Sequence, residues 1–592
     1  MNKFIYPQKY DITVIGAGHA GCEAALICSK LGLQTILITQ NLDTIAQMSC
    51  NPSIGGVGKG QIVKEIDALG GIMGINTDKS ALNYHMLNTS RGPAVRSPRA
   101  QCDKKLYHLN MKFALEEAEN LRIIQDEAQE LWLEGSCLKG IKSARNVFYE
   151  SKAVIITSGT FLKGIIHIGH FSFPGGRYND PPSSSLSDSI SQAGVKRGRL
   201  KTGTPMRLNG RTIDFSLCEK QAPDSPAEPF SVFTDKEKLN SRIFLPCWIT
   251  RTEKETAEII SKNLSSGALY GGKISSLGPR YCPSIEDKIV KFPHHETHHI
   301  FLEPEGFQTL EYYVNGLSTS LSEETQTLIV KSIPALKNAQ IIRPGYAIEY
   351  DYFDPQNLDF TLESKIIPGL YLAGQVNGTT GYEEAAAQGL MAGINACLKI
   401  KREEPLILKR HEAYIGVMID DLITKGVDEP YRMFTSRAEH RLMMRQDNAD
   451  IRLSEIAFKI GALHKNLYSS FKAYLKVYEE ASKNKKNIKE ILGPWRAENA
   501  YLAAKNDAEY CAYIERSKKE IEKAKVLEKV SIPHDFDYGK IKELSNEAKQ
   551  KLSRLKPKNL SDASRIPGLT LAEIQFLWVI INKKRGADEK GN

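Results

Sequence analysis

YDITVIGAGHAG, Tyr10 to Gly21, decides the fold. Tyr10 to Gly16 is a short β-branched apolar run, and Ala20 to Leu31 then repeats small and apolar residues at helical spacing. Between them stands Gly16-Ala17-Gly18-His19-Ala20-Gly21, a G-x-G-x-x-G in the strand-to-helix setting that a dinucleotide site requires. The glycines permit a tight turn, close approach of a pyrophosphate and close helix-on-strand packing, and the helix N-terminus supplies aligned N–H donors. The competing reading is a purely structural βα turn.

The next strand, Thr35 to Thr39, ends in Gln40-Asn41 with Asp43 displaced. The acid that holds an adenosine ribose in plain NAD dehydrogenases is therefore missing, and two later segments favour FAD. Ala153 to Ile156 is a buried-type strand running into Thr157-Ser158-Gly159-Thr160, a T-x-G turn of the kind that brings glutathione-reductase-type flavoproteins back to the cofactor. Ile367 to Gly374 leads into Gln375 where such proteins carry an aspartate, and an amide still hydrogen-bonds a ribityl hydroxyl or phosphate ester. Thr380 to Gly389 then opens an Ala/Gly-faced helix with its N-terminus toward the cofactor. The glycine loop Met48 to Gly60 contains a G-K but fails as a P-loop. Ser53 and Gly60 stand where glycine and Ser/Thr are needed, so no nucleoside triphosphatase is implied.

With 592 residues, 41% of them hydrophobic and 25% charged, the chain has the makings of a multidomain globular protein. It has no membrane-length apolar run and no cleavable leader, so the expected location is cytoplasmic. Ten cysteines without a C-x-x-C argue for reduced thiols. The net charge of +9 sits in the tail, where Ile451 to Asn592 hold 29 Lys+Arg against 19 Asp+Glu. A second basic run, Gly194 to Thr212, has six Lys/Arg and no acid, and marks Lys196, Arg197, Arg199, Lys201 and Arg207 as phosphate contacts.

One stretch, Tyr281 to His299, offers two chemistries. His295-Glu296-Thr297-His298-His299 spells the zinc signature H-E-x-x-H, which works only on a helix. Here Pro293 and Pro304 box it in, and His299 to Leu302 reads as a strand, so a histidine-rich loop without zinc is expected. Earlier, Ser284-Ile285-Glu286-Asp287 reads as a helix start, which puts Cys282 just before a helix N-terminus and two residues from Arg280. Both features favour a thiolate, while Glu286 and Asp287 oppose it in part. Cys50, at the mouth of the glycine loop, is the second reactive candidate.

The blocks GAGHAG, DTIAQMSCNPSIGGVGKG, GRLKTGTP, GPRYCPSIEDKI, HIFLEPEG, RPGYAIEYDYFDP, LAGQVNGTTGYEEAAAQG and EPYRMFTSRAEHRL, in that order, resemble the MnmG (GidA) family of tRNA wobble-uridine modification enzymes. The resemblance implies an α/β chain with a Rossmann-like FAD-binding domain of the glutathione-reductase type, in two parts over 1–205 and 340–404. Between them it implies an inserted mixed α/β domain over 206–339 on the nicotinamide and substrate side, and after them an all-helical domain over 405–592. It further implies FAD, NADH and 5,10-methylenetetrahydrofolate, a cytoplasmic homodimer, and a complex with the GTPase MnmE. The FAD contacts carry onto Gly16, Ala17, Gly18, His19, Ala20, Gly21, Ala128, Ser183, Gly374 and Gln375. The nicotinamide nucleotide carries onto Gly278-Pro279-Arg280-Tyr281-Cys282-Pro283-Ser284-Ile285-Glu286-Asp287-Lys288-Ile289-Val290-Lys291-Phe292. Arg437 and Arg441 join the tRNA-contacting set, and the tail is the expected docking surface for MnmE, separable by a cut near residue 540.

The implied chemistry suits these residues. C5 of uracil becomes nucleophilic once a thiolate adds at C6, so Cys282 and Cys50 are the catalytic candidates, with their roles open between them. Glu383, Asp351 and His19 stand near the cofactor as candidate bases, and none is singled out. Three rivals remain: a TrmFO-like folate- and flavin-dependent tRNA uridine methyltransferase, a non-catalytic FAD-containing tRNA scaffold, and a zinc hydrolase.

Overall fold

In the computed structural model, residues 3–280, 283–484, 491–492, 495–533, 535–566 and 568–588 are described. The opening run forms the strand Tyr10–Ile15, and the glycine turn delivers it into the helix His19–Lys30. Around that strand lies a parallel sheet in the order Leu121–Gln125, Thr35–Thr39, Tyr10–Ile15, Val147–Ile156, Leu370–Leu372. Ile12, Val14, Ile36, Leu37, Ile38, Val154 and Ile155 are all buried, as strands covered on both faces must be. The strand expected from Ala153 begins earlier, at Val147. Its first half, Phe148 to Glu150, pairs with Cys137–Ser143, which pairs in turn with Ala128–Glu134, in an antiparallel meander that hydropathy alone does not announce.

The helix after the glycine turn packs on the long helix Tyr382–Lys401, which the sequence placed beside the cofactor. The approach is possible because Gly389 has no side chain: a Cβ there would lie 2.0 Å from the Ala20 carbonyl oxygen. Gly393 repeats the contact against Ile27 and Ala24. Both N-termini therefore reach the same edge of the sheet, outside the carboxyl ends of its strands.

Two further sheets complete the mixed α/β part. The antiparallel strands Phe171–Pro174, Ile165–Ile168, Tyr346–Phe353 and Arg197–Thr204 form one. Glu219–Gln221, Cys247–Arg251, His299–Pro304, Glu311–Asn315, Arg207–Asn209 and Ile341–Arg343 form the other, against the helices Lys254–Lys262, Ile285–Lys291 and Glu323–Lys331. This second sheet has its own apolar core, drawn from Met206 to Ala339. Beyond Tyr382 the described residues form helices joined by loops, with one short antiparallel strand pair, Ile491–Leu492 and Trp495–Arg496. The helices as far as Ala500 add to the core of the parallel sheet, whereas residues from Val530 to Ile581 enclose a separate core. No helix among the described residues is long and apolar enough to cross a membrane.

Gly389→Ala tests the helix contact. Alanine gains about 1 kcal/mol of helix propensity over glycine, but the clashing atom is backbone and cannot rotate away, and overpacking costs about 1–3 kcal/mol. A lowered melting temperature and reduced flavin content in the purified protein are expected; an unchanged melt would show that the two helices can separate freely.

Candidate active site

The glycine turn and the N-terminus of the long helix open on a cavity of about 860 Å³. Gly16 has a φ of +94°, and a Cβ there would meet the Thr157 carbonyl oxygen at 2.9 Å. The Thr157 hydroxyl donates to the carbonyls of Ile15 and Gly16, so the T-x-G turn clamps the glycine turn from the neighbouring strand. At Gly21 a Cβ would fall 1.8 Å from the Gly16 carbonyl oxygen, while at Gly18 it would meet only open space. That open space before a helix N-terminus fits a pyrophosphate. Gly16, Ala17, Gly18, His19, Ala20, Ala128, Ser183 and Gln375 all line the cavity, and Gly374 packs against Ala20 behind it. The Ser183 hydroxyl donates to the Ala128 carbonyl, which joins two walls far apart in sequence. Ser158 Oγ, buried in the lining without a hydrogen-bond partner, adds an unused polar group. These residues fit FAD.

Next to the turn, His19 stacks on Tyr382 at 4.3 Å between ring centroids. Burial pulls the His19 pKa down to about 4 against the opposing charge of Glu383, so the ring is neutral at pH 7. Glu383 accepts from the Gly55 N–H and from Lys59, and Lys59 also reaches Glu384 at 3.0 Å. Burial works against ionisation of Glu383, but the Lys59 ammonium outweighs it and holds the carboxyl below its ordinary range. Of the three candidate bases, then, Glu383 is engaged by Lys59. Asp351 lies on the strand Tyr346–Phe353 of the four-stranded sheet, bound by Arg199 and Ser187. His19 faces the cavity with Nε2 unpartnered.

Cys50 lines the same cavity, and its peptide is held on every polar atom. Its N–H donates to the Tyr382 hydroxyl at 2.8 Å, and its carbonyl accepts from Lys104 at 2.9 Å and Arg207 at 3.0 Å. Glu305 bridges the two cations, at 2.6 Å from Lys104 and 3.0 Å from Arg207. Burial resists the charge on Glu305, yet Lys104 and Arg207 overcome it and draw its pKa to about 2. Burial also lowers Lys104 to about 8, against the pull of Glu305. The thiol itself lies 3.2 Å from the Tyr313 hydroxyl and 3.8 Å from the Gly203 carbonyl. Lys59, Glu305 and Tyr382 sit within blocks whose order carries the resemblance and Tyr313 lies close to one, whereas Lys104 lies in none; their spacing along the chain gives no sign that they converge.

The other catalytic candidate, Cys282, and its neighbour Tyr281 lie outside the described residues. The flanks are placed. Gly278, Pro279, Pro283, Ser284 and Asp287 border a small cleft with Lys201, Thr202 and Gly203, and the last two also line the large cavity. The expected helix start is present: Ser284 caps the helix Ile285–Lys291 by accepting from the Asp287 N–H. Glu286 is buried and bound to Thr319 and to the Ser320 N–H, Ile285 and Ile289 belong to the insert's core, and Val290 and Phe292 are exposed. Most of the helix thus anchors the segment. After a turn at Pro293 and His294, His295 to His298 are coil and His299 begins a strand, so His295 and His299 of H-E-x-x-H do not share a helical face.

The cations expected to meet phosphate divide in two. Lys196, Arg197 and Arg441 are exposed, and Arg199 and Arg437 are half-buried. Arg199 pairs with Asp351 at 2.8 Å, and Arg437 lies over the Tyr431 ring. Lys201 and Arg207 are buried. The structure puts Arg207 to a different use, as the brace of the Cys50 loop, because its guanidinium is spent on Glu305, Thr204 and the carbonyls of Ser49, Cys50 and Pro205.

Known proteins share this architecture. A family model described as glucose inhibited division protein A matches residues 11–404, and one described as the tRNA modifying enzyme MnmG/GidA C-terminal helical bundle matches residues 520–592. The chain is 48% identical to the tRNA uridine 5-carboxymethylaminomethyl modification enzyme MnmG of Protochlamydia amoebophila, over 99% of this chain and 98% of that one. To the enzyme of the same name from Thermodesulfovibrio yellowstonii it is 50% identical, over 98% and 99%. The solved structure of Aquifex aeolicus GidA in its form I crystal superposes with a TM-score of 0.89 at 47% identity, covering 97% of this chain and 100% of that one.

Lys59→Met tests the buried clasp. It leaves Glu383 and Glu384, both almost fully buried, without their cation, and breaking a buried pair in this way costs about 3–5 kcal/mol. A urea midpoint shifted down accordingly, and partly restored by adding Glu384→Gln, is expected; no shift would show that Lys59 does not hold this edge together.

Proposed function

The chain belongs to the glucose inhibited division protein A family, the MnmG/GidA proteins, and on that premise we propose that it carries out the tRNA uridine 5-carboxymethylaminomethyl modification for which its relatives are named. The observation that supports this most directly is one cavity lined both by the dinucleotide turn at Gly16 to Gly18 and by Cys50. FAD bound there supplies two-electron redox chemistry, with NADH as its reductant. In our reading the target is the first anticodon uridine, the one-carbon source is 5,10-methylenetetrahydrofolate, and the enzyme works as a cytoplasmic homodimer with the GTPase MnmE. Family membership supports each of these.

The chain's own part is nucleophilic and positional. A cysteine thiolate adds to uracil C6, which makes C5 an enolate carbon able to bond the incoming one-carbon unit. Loss of the C5 proton to a base and expulsion of the thiolate then restore the ring. Cys50 and Cys282 divide the roles of adding group and proton-transfer partner. Cys50 is suited to either, because Tyr382, Lys104 and Arg207 fix its backbone and leave only the side chain to turn. His19, neutral and unpartnered at Nε2, is the cavity's best-placed proton acceptor. For the tRNA backbone we assign Lys196, Arg197, Arg199, Arg437 and Arg441, while Arg207 braces the site from within and Lys201 lies buried beside the small cleft.

Cys50→Ser and Cys282→Ser should each keep the flavin spectrum and lose tRNA modification by at least about a hundredfold, read by nucleoside analysis of tRNA from cells that carry only the variant. Modification preserved in both would favour the scaffold reading. A methylated T-loop uridine as the missing product would favour a TrmFO-like activity.

The tail supplies a second test. A cut near residue 540 would divide the separate core and leave Val530, Ile532 and Phe536 exposed. Truncation after Lys529 removes that core as a unit. It should leave flavin content and the main melting transition intact and abolish pull-down of the GTPase; retained pull-down would refute tail docking.

A further inference from the structure

We propose that Tyr313 holds Cys50 in its thiolate form by donating a hydrogen bond to the sulfur, an inference that rests on the reading of Cys50 as a reactive group. Among the described residues, two polar groups reach Cys50 Sγ, the Tyr313 hydroxyl at 3.2 Å and the Gly203 carbonyl at 3.8 Å. They favour opposite protonation states. A carbonyl only accepts, so the Gly203 contact needs the thiol, whereas in the Tyr313 contact either group can donate and a phenol O–H binds a thiolate more strongly than a thiol. The shorter contact is the one to Tyr313.

The surroundings favour the same outcome. Tyr313 stands on the strand Glu311–Asn315, directly opposite Arg207 on one neighbouring strand and Glu303 on the other, so sheet register fixes its position. The Arg207 guanidinium lies 4.9 Å and the Lys104 ammonium 5.6 Å from its ring centroid. The same two cations bind the Cys50 carbonyl. Glu305 is shared between them, so two positive charges are set against one negative charge behind the thiol. Among the described residues, the other titratable groups that interact with Cys50 are Tyr382, whose hydroxyl takes the Cys50 N–H, and Tyr346. Neither hydroxyl has a hydrogen bond to the sulfur. A net positive setting polarises the Tyr313 O–H and stabilises the anion it points at. In the step itself the Cys50 S–H bond breaks, its proton passes to solvent, and Tyr313 keeps its own proton throughout.

The test uses the full-length flavoprotein with Cys137, Cys218, Cys282 and Cys511 changed to serine, so that iodoacetamide reports on Cys50; the other cysteines are buried. Alkylation rate is measured against pH for this protein and for the same protein carrying Tyr313→Phe, with flavin absorbance confirming that each is folded. The expected result is a midpoint raised by about one pH unit, and alkylation at pH 7 slowed roughly tenfold. Superimposable profiles would overturn the proposal. In the otherwise unaltered enzyme, Tyr313→Phe should lower kcat and leave KM for tRNA unchanged; a rise in KM alone would count against it, since that marks substrate contact. The alkylation readout is independent of tRNA chemistry. If the midpoint shifts while Cys50→Ser still modifies tRNA, the reading of Cys50 as reactive fails and the Tyr313 contact stands.

Discussion

The contact on which the site depends has no side chain in it: Gly389 lies against the backbone of Ala20, where a methyl group would be 2.0 Å from a carbonyl oxygen. Because helices can approach this closely only at such residues, the helix following the first strand and the helix following the last are forced together. Their N-termini then face one space from two sides. The cofactor turn, Tyr382 and Glu383 all inherit their positions from that approach, and Lys59 fastens the arrangement by pairing with both carboxylates at the start of the second helix. The loop that carries Cys50 runs between these fixed points.

Electrostatics does the remaining work on that loop. Lys104 and Arg207 come from opposite parts of the chain, the start of a helix in the parallel-sheet domain and a strand of the insert, and Glu305 lies between them. Two cations against one carboxylate in a buried site would be costly if unpartnered, but the carbonyls of Ser49 and Cys50 take the remaining donors. Insert and parallel-sheet domain are thus joined through the backbone of the reactive loop itself. A shift of the insert must either break the Arg207 contacts or carry the Cys50 loop with it.

Much of this was legible in the sequence where it depended on local pattern. The strand Tyr10–Ile15, the glycine turn, the strand Thr35–Thr39, the Ser284 cap and the helix opening at Tyr382 each follow from periodicity and capping within a dozen residues. The meander Ala128–Ser143 was not, because its strands alternate polar and apolar residues too weakly to stand out and its pairing is with a strand read as shorter than it is. Ala128 and Ser183 reached the cavity wall only through family resemblance; nothing in their own neighbourhoods marks them. Lys59 was weighed solely as part of a failed P-loop, and its partners, Glu383 and Glu384, lie more than three hundred residues away.

Arg207 shows where sequence reading reaches its limit. Six cations without an acid between Gly194 and Thr212 suggest a surface for phosphate. Yet the run forms two strands, Arg197–Thr204 and Arg207–Asn209, that belong to different sheets, so its cations meet different surroundings. One basic run can therefore serve two purposes: Lys196 and Arg197, near the start of the first strand, are exposed, while Lys201 and Arg207 further along are buried, the latter against an acid contributed by the segment ending at Pro304 and Glu305. Net charge along a sequence counts cations but not the acids that fold against them. Only the cross-strand partner decides whether a buried guanidinium binds nucleic acid or braces the loop that acts on it, and for Arg207 the partner is Glu305.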